Sequence, residues 1–346
     1  MISVNIALVF WTNIVLVSIL FIMLLYLLVQ KKKEAIKESR KKLIKTKLRT
    51  PLYTYLTEGG EFSARLLQHS VISYEVLGEL LSEYQSLLRK EKAQEKIRQL
   101  AEEKLGSYYA KQLQHKRWSI RMNTLHKIED FKMTMFEDKL LGAIRQEAIS
   151  DTETYQMLRT LASFESKPFF YFLLHDSQQW PRFVYRDLLR RFPAEWIADL
   201  MSHFKTMSLP FQTALLDIIG ERKQKEDIAF LETQLNSELL EVRMAALKAI
   251  VQIGYIVNAE WVLPFAVSSY FEERMMFARI VKLTKKERFK PIVVSMLADS
   301  NWWVRNAAGE AVSSFSDGHF LLSYVEETHE DKFARDMAKQ WLEGGN

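Results

Sequence analysis

Seven histidines, His69, His115, His126, His175, His203, His319 and His329, are the residues best suited to hold a metal or shuttle a proton, and none belongs to a His-Glu-x-x-His or other short ligand pair. With no cysteine, thiolate metal sites, iron–sulfur clusters, disulfides and a cysteine nucleophile are all excluded. No glycine-rich loop followed by Lys-Ser or Lys-Thr offers to cradle a phosphate, and Gly59-Gly60 and Gly344-Gly345 suit a turn and a tail. Ser39-Arg-Lys-Lys42 has Ser-x-x-Lys spacing, but it falls in a lysine-rich stretch without companion motifs. Glu153, Asp187 and Glu310 stand singly on helices in the ordinary solvated pattern. No catalytic residue, metal site or cofactor is assigned, and the expectation is a protein that is not an enzyme.

The elements that would position any site are helical. Of 346 residues 48% are hydrophobic, with only 11 glycines and 7 prolines, so the expected class is all-α with a sizeable core. Charge is concentrated: ten Lys and Arg between Lys31 and Arg49, against Glu34 and Glu38, give +8, leaving −3 for the rest of a chain whose total is +5. The basic pI therefore belongs to one short stretch and says little for nucleic acid, which is an unlikely partner.

From Met1 to Gln30 there is no Asp, Glu, Lys, Arg or His, and IALVFWTNIVLVSILFIMLLYLLV is long enough to cross a bilayer core. A basic start, a short apolar centre and a small-residue cleavage site are all missing, so a spanning helix is expected over 1–30 rather than a cleaved signal. The positive charge on its C-terminal side places the tail in the cytoplasm and the N-terminus outside a plasma membrane, crossed once. Residues 31–50 are expected to form a basic juxtamembrane helix, with Lys31, Lys32, Lys33, Arg40, Lys41 and Lys42 on anionic headgroups. Thr50-Pro51 is expected to end or kink it. Residues 51–110 then read as a helical membrane-proximal region and 111–346 as a repeat array.

The repeat shows as Val242-Arg243, Arg274 and Val304-Arg305, three arginines 31 residues apart, each followed by small or apolar residues such as Ala245-Ala246 and Ala307-Ala308. Arg182 and Arg121 stand ten residues before Phe192 and Phe131, as Arg305 does before Phe315, and Arg335 marks a truncated last unit. About 31 residues is two short antiparallel helices with their turns, a pair too small to bury its apolar stripe without neighbours. The first helix of each pair is expected to carry the motif. Asp176 and Asp299, six residues before Arg182 and Arg305, are placed to cap the incoming helix, with the arginine bonding to the turn of the adjacent repeat. Arg121, Asp176, Arg182, Arg243, Arg274, Asp299 and Arg305 are thus read as structural.

Asp299-x-x-x-x-Val304-Arg305 with Ala307 and Ala308 resembles the HEAT repeat, including the variety found in phycobilisome-lyase-like repeats and in membrane-anchored bacterial HEAT-repeat proteins. The resemblance implies an α-solenoid of antiparallel helix pairs that binds another protein, with no catalytic residue to carry over. By the same analogy the partner of a membrane-tethered scaffold is a glycosyltransferase or another envelope-assembly enzyme. The alternatives are a solenoid enzyme, lyase-like or DNA-glycosylase-like, or an anion-binding protein using Arg186, Arg190, Arg191, Arg222, Lys223 and Lys225. Among aromatic clusters, Phe169, Phe170 and Trp261 are the candidate partner-binding residues, whereas Trp118, Trp180 and Trp302, each shortly before a motif arginine, suggest a structural role.

Overall fold

The computed structural model describes residues 6–67, 70–145, 150–175 and 179–344, and among them there is no strand. The chain divides into two compact units, Met1–Phe164 and Glu165–Asn346.

The first unit opens with α1 (Ile6–Thr57), a single helix of 52 residues, about 78 Å long at the usual rise. Every residue from Phe10 to Arg40 is exposed, and its most apolar window is 0% buried. A core helix of a soluble protein would have that face covered. The expected break at Thr50-Pro51 is absent: α1 continues through Pro51. A proline inside a helix costs about 3 kcal/mol, but Leu48, Leu52 and Leu56 are buried here at 0–2% exposure, each contributing about 1.5–3 kcal/mol. Tyr84 Oη also donates to the Arg49 carbonyl at 3.0 Å, satisfying backbone close to the proline.

Those leucines pack beneath α2 (Val71–Leu87) and α3 (Glu91–Gln112). Lys37 and Lys41 pair with Glu75 at 2.9 and 3.0 Å, Lys41 with Glu79 at 2.7 Å, and Lys45 and Arg49 with Glu83 at 3.1 and 2.6 Å. Residue numbers rise together on both sides, so α2 runs beside α1 in the same direction, with four-residue spacing matched to four-residue spacing. This corrects one expected membrane-surface residue. Lys41 is committed to two carboxylates, whereas Lys31, Lys32, Lys33, Arg40 and Lys42 are exposed. Next come α4 (Trp118–Asp130), α5 (Glu137–Ile144) and α6 (Asp151–Ser163), with α4 packed on α6.

The second unit comprises α7 (Lys167–His175), α8 (Arg182–Leu189), α9 (Ala194–Ser202), α10 (Leu209–Arg222), α11 (Ile228–Gln234), α12 (Leu240–Ile253), α13 (Phe271–Thr284), α14 (Lys290–Ser295), α15 (Trp302–Ser313), α16 (Gly318–Thr328) and α17 (Lys332–Leu342). A 3-10 segment, Ala259–Val267 with Pro264 inside it, stands between α12 and α13. One layer is a stack, α8 on α10 on α12 on α13 on α15 on α17, and the intervening elements cover it. Small residues allow the close approach. A Cβ on Gly220 of α10 would lie 2.8 Å from Ala249 Cα of α12, and one on Gly309 of α15 would strike Trp341 of α17. The core is the seam between layers, filled by side chains such as Leu215, Leu247, Phe277, Phe289, Val304 and Leu322.

Candidate functional site

Five arginines hold one structural position. Arg121, Arg243, Arg274, Arg305 and Arg335 are each the fourth helical residue after their N-cap, on α4, α12, α13, α15 and α17. Each donates Nη1 to two carbonyls of the turn leading into its own helix: His115 and Lys116, Ser237 and Glu238, Ser268 and Ser269, Asp299 and Ser300, His329 and Glu330. The turn held is the arginine's own, not that of the adjacent repeat as expected.

What reaches the next repeat is the other edge of the guanidinium. Arg121 grips Glu153 with Nε and Nη2 at 2.6 and 2.8 Å. Arg243 Nε meets Glu273 at 2.6 Å, and Arg274 meets Asp299 at 2.7 and 2.8 Å. Glu153 and Glu273 are nearly fully buried, at 4% and 2% exposure. The bond from Arg121 holds the Glu153 carboxyl below its ordinary range against the opposing effect of burial. Burial pulls Asp299 upward, but Arg274 and the Asn301 N–H outweigh it and the carboxyl is held low. Asp299 is also not the expected cap of α15. Asn301 is the N-cap, accepting from Trp303 N at 2.9 Å, while Asp299 accepts from Asn301 N and from Arg274.

Three further residues take the arginine's position and were not singled out from the sequence. Gln212 of α10 donates to the Phe204 and Met207 carbonyls at 3.0 and 3.2 Å, and Tyr185 of α8 accepts from Trp180 N. Gln94 of α3 holds the Gln85 and Leu88 carbonyls, extending the device into the membrane-proximal region 51–110. Arg182 is therefore three residues out of register. It opens α8 and pairs instead with Asp217 of α10 at 2.7 and 3.0 Å. Asp176 lies outside the described residues.

The basic clusters make contacts within the fold. Arg186 and Arg190 converge on Glu221, whose carboxyl is pulled to about 2, chiefly by Arg190 with Arg186 adding to it and burial opposing. Arg222 donates to the Phe192 carbonyl, and Lys225 sits 5.5 Å from the Tyr255 ring centre. A polar cleft of the first unit, about 570 Å³, is lined by Glu75, Tyr108, Tyr109, His126, Lys127 and Asp130. Burial pushes both Tyr109 and Asp130 up in that cleft. Ser202 touches the His203 ring on an exposed helix end, but its hydroxyl also bonds the Asp199 carbonyl. No group of three metal-binding side chains occurs among the described residues.

The aromatic candidates sort differently from expectation. Phe169 and Phe170 are 0% and 4% exposed, Phe170 being packed with Phe192 and Trp196, so neither can anchor a partner. Trp261 is half-buried. Among the open rings are Trp118 at 48%, Trp302 at 44%, Trp303 at 57% and Phe333 at 60% exposure. Trp302 and Trp303 pack edge to face at 4.8 Å on the first turn of α15, and Phe333 stands on the first turn of α17, which packs against α15. The Phe333 ring centre is 4.9 Å from the Arg305 guanidinium carbon. The candidate site is this aromatic end of the arginine ladder.

Residues 289–319, from α14 through α15 into α16, match the family model for the HEAT repeat. The array contains a HEAT repeat. The matched window opens at Phe289, so α14 leads the HEAT repeat and the arginine-bearing α15 follows, reversing the expected phase of the pair. No curated protein matches. Among solved structures the chain is similar to an engineered protein (15% identity, 89% of this chain and 95% of that one, TM-score 0.35). It is also similar to a chain of the Pds5–Scc1 complex (12%, 88% and 59%, TM-score 0.32). A third is a designed armadillo repeat protein with a (KR)4 peptide (14%, 69% and 98%, TM-score 0.23).

Proposed function

We propose that this protein is a single-pass membrane scaffold, not an enzyme, whose HEAT-like array holds a partner protein at the cytoplasmic face of the plasma membrane. The observation that carries the reading is the contrast on the repeat surface. Arg121, Arg243 and Arg274 of the ladder are paired with carboxylates, while Trp302, Trp303 and Phe333 are left open to a partner. Tethering is supported by the apolar run of α1, about 36 Å from Ile6 to Val29 at the usual helical rise and uncovered from Phe10 onward, against a hydrocarbon core of about 30 Å. Lys31, Lys32 and Lys33 follow directly and favour anionic headgroups on the inner side.

Because α1 passes unbroken into the helices that bury Leu48 and Leu52, the membrane segment and the first unit share one rigid element. Confinement to one membrane raises the effective concentration of a membrane-bound partner, so a weak contact suffices. The analogy with membrane-anchored bacterial HEAT-repeat proteins favours an envelope-assembly enzyme such as a glycosyltransferase as that partner. In-membrane crosslinking with mass spectrometry tests the reading, comparing the full chain, a chain with an unrelated spanning helix and a chain lacking residues 165–346. A partner lost only with the repeats is expected. Recovery that ignores the repeats, or no protein partner at all, sinks it.

A further inference from the structure

Each ladder arginine that a further arginine-bearing repeat follows needs a carboxylate for the Nε edge of its guanidinium, and Arg305 does not get one. Glu153 and Glu273 supply it from the third helical residue of α6 and α13, and Asp299 supplies it from the turn before α15. In the last repeat the first position is Ala334 and the second is His329, whose Nδ1 is already taken by Asp331 N. Arg305 is 9% exposed and its Nε is buried without a hydrogen-bond partner. A buried donor without an acceptor is costly. The Phe333 ring lies over the Arg305 guanidinium, and Phe333 is 60% exposed. Arg335 likewise spends Nη1 on its own turn and has no carboxylate among the described residues.

We propose that this end of the array binds a protein segment bearing a carboxylate, an Asp, a Glu or a chain terminus, which completes the rung on Arg305 while an adjacent apolar side chain packs on Trp302, Trp303 and Phe333. The proposal rests on the scaffold reading and names the chemistry of its partner. Charge complementarity selects the occupant: an arginine edge that takes a carboxylate bidentately at Glu153 and Asp299 is offered empty beside open aromatic rings.

The test uses the full chain in lipid nanodiscs, panned with phage-displayed random dodecapeptides, the selected peptide then being titrated by fluorescence anisotropy. Selected sequences are expected to carry Asp or Glu beside an aromatic or aliphatic residue, and changing that acid to its amide weakens binding at least tenfold. Ala334→Glu puts a carboxylate where Glu153 and Glu273 stand in their helices; it is expected to weaken binding at least tenfold at an equal or higher melting temperature. If that variant does not fold, Phe333→Glu delivers the charge from an exposed position. Against Phe333→Gln, which removes the same ring, it is expected to bind at least tenfold more weakly. Selection of peptides without acids, binding indifferent to these variants, or no selected peptide overturns the proposal. A crosslinked partner that depends on residues 165–346 but ignores Ala334→Glu refutes this proposal and leaves the scaffold reading standing.

Discussion

Replacing Arg274 with alanine removes a rung from the middle of the ladder, and its cost follows from the geometry. The side chain is 15% exposed and its partner Asp299 10%, with bonds of 2.7 and 2.8 Å between them and a third, of 2.8 Å, to the Ser268 carbonyl. Breaking a buried pair from one side costs about 3–5 kcal/mol, because the remaining charge keeps its desolvation without its counter-charge. The Asp299 carboxylate retains only the Asn301 N–H among its bonds, and slight solvent access places the loss near the lower end, about 3 kcal/mol. The lost turn bonds add about 1 kcal/mol. For a unit of this size the melting temperature falls by about 10 °C, at roughly 2–4 °C per kcal/mol.

Calorimetry of the full chain in nanodiscs measures the shift, and hydrogen exchange localises it to α13 and the turn before α15. The deficit also depends on pH. The folded carboxyl of Asp299 titrates below its unfolded value of 3.8, so its stabilisation is complete above that value and disappears as pH falls through the folded one. The gap between wild type and Arg274→Ala is therefore expected to narrow between pH 6 and pH 3. A loss under about 1 kcal/mol at pH 7, the range of an ordinary surface change, or a gap equally wide at both pH values, refutes the ladder as a source of stability.

Other outcomes follow from the same contacts. Gly220→Ala forces a methyl against the backbone of Ala249 and is expected to cost about 1–3 kcal/mol in chemical denaturation. Phe170→Ala is expected to cost about 3–5 kcal/mol, whereas Trp303→Ala changes stability by less than about 0.5 kcal/mol yet weakens partner recovery. The triple change Glu75→Gln, Glu79→Gln and Glu83→Gln breaks half-exposed pairs worth about 0.2–1 kcal/mol each, a loss expected to be larger in low salt than in high salt when melting is followed at both. The Glu221 carboxyl, pulled to about 2, contributes stability above its unfolded value of 4.5 that is lost on acidification. NMR titration should find it still ionised at pH 3.5, and Arg190→Ala should move it upward.

The apolar run and the 31-residue arginine spacing were legible because each depends on residue type repeated at fixed intervals. The helix through Pro51 was not, since local preference was overruled by leucines that become buried only when α2 folds alongside. Gln94, Tyr185 and Gln212 escaped notice for a related reason. Holding a turn needs a polar side chain of suitable reach, not an arginine, so spacing survives where identity does not. Phe169 and Phe170 misled because a run of aromatics does not declare its buried side. The buried stripe of α15, Val304, Arg305, Ala307 and Ala308, did carry a signal: it leaves Trp302 and Trp303 outside. The Nε edge of Arg305 was invisible in the sequence, because its partnerless state emerges only when Ala334 is seen at the position of Glu153 and Glu273.

A repeat array held at the inner membrane surface by α1 is tested most directly by its sidedness, and the absence of native cysteine makes the background clean. A single cysteine at Ser316, exposed on the repeat unit, is challenged with a membrane-impermeant maleimide in intact cells and again after permeabilisation. Labelling only after permeabilisation, with the protein retained in membranes washed at high pH, is expected. Labelling in intact cells, or release of the protein by that wash, would contradict the tethered cytoplasmic scaffold.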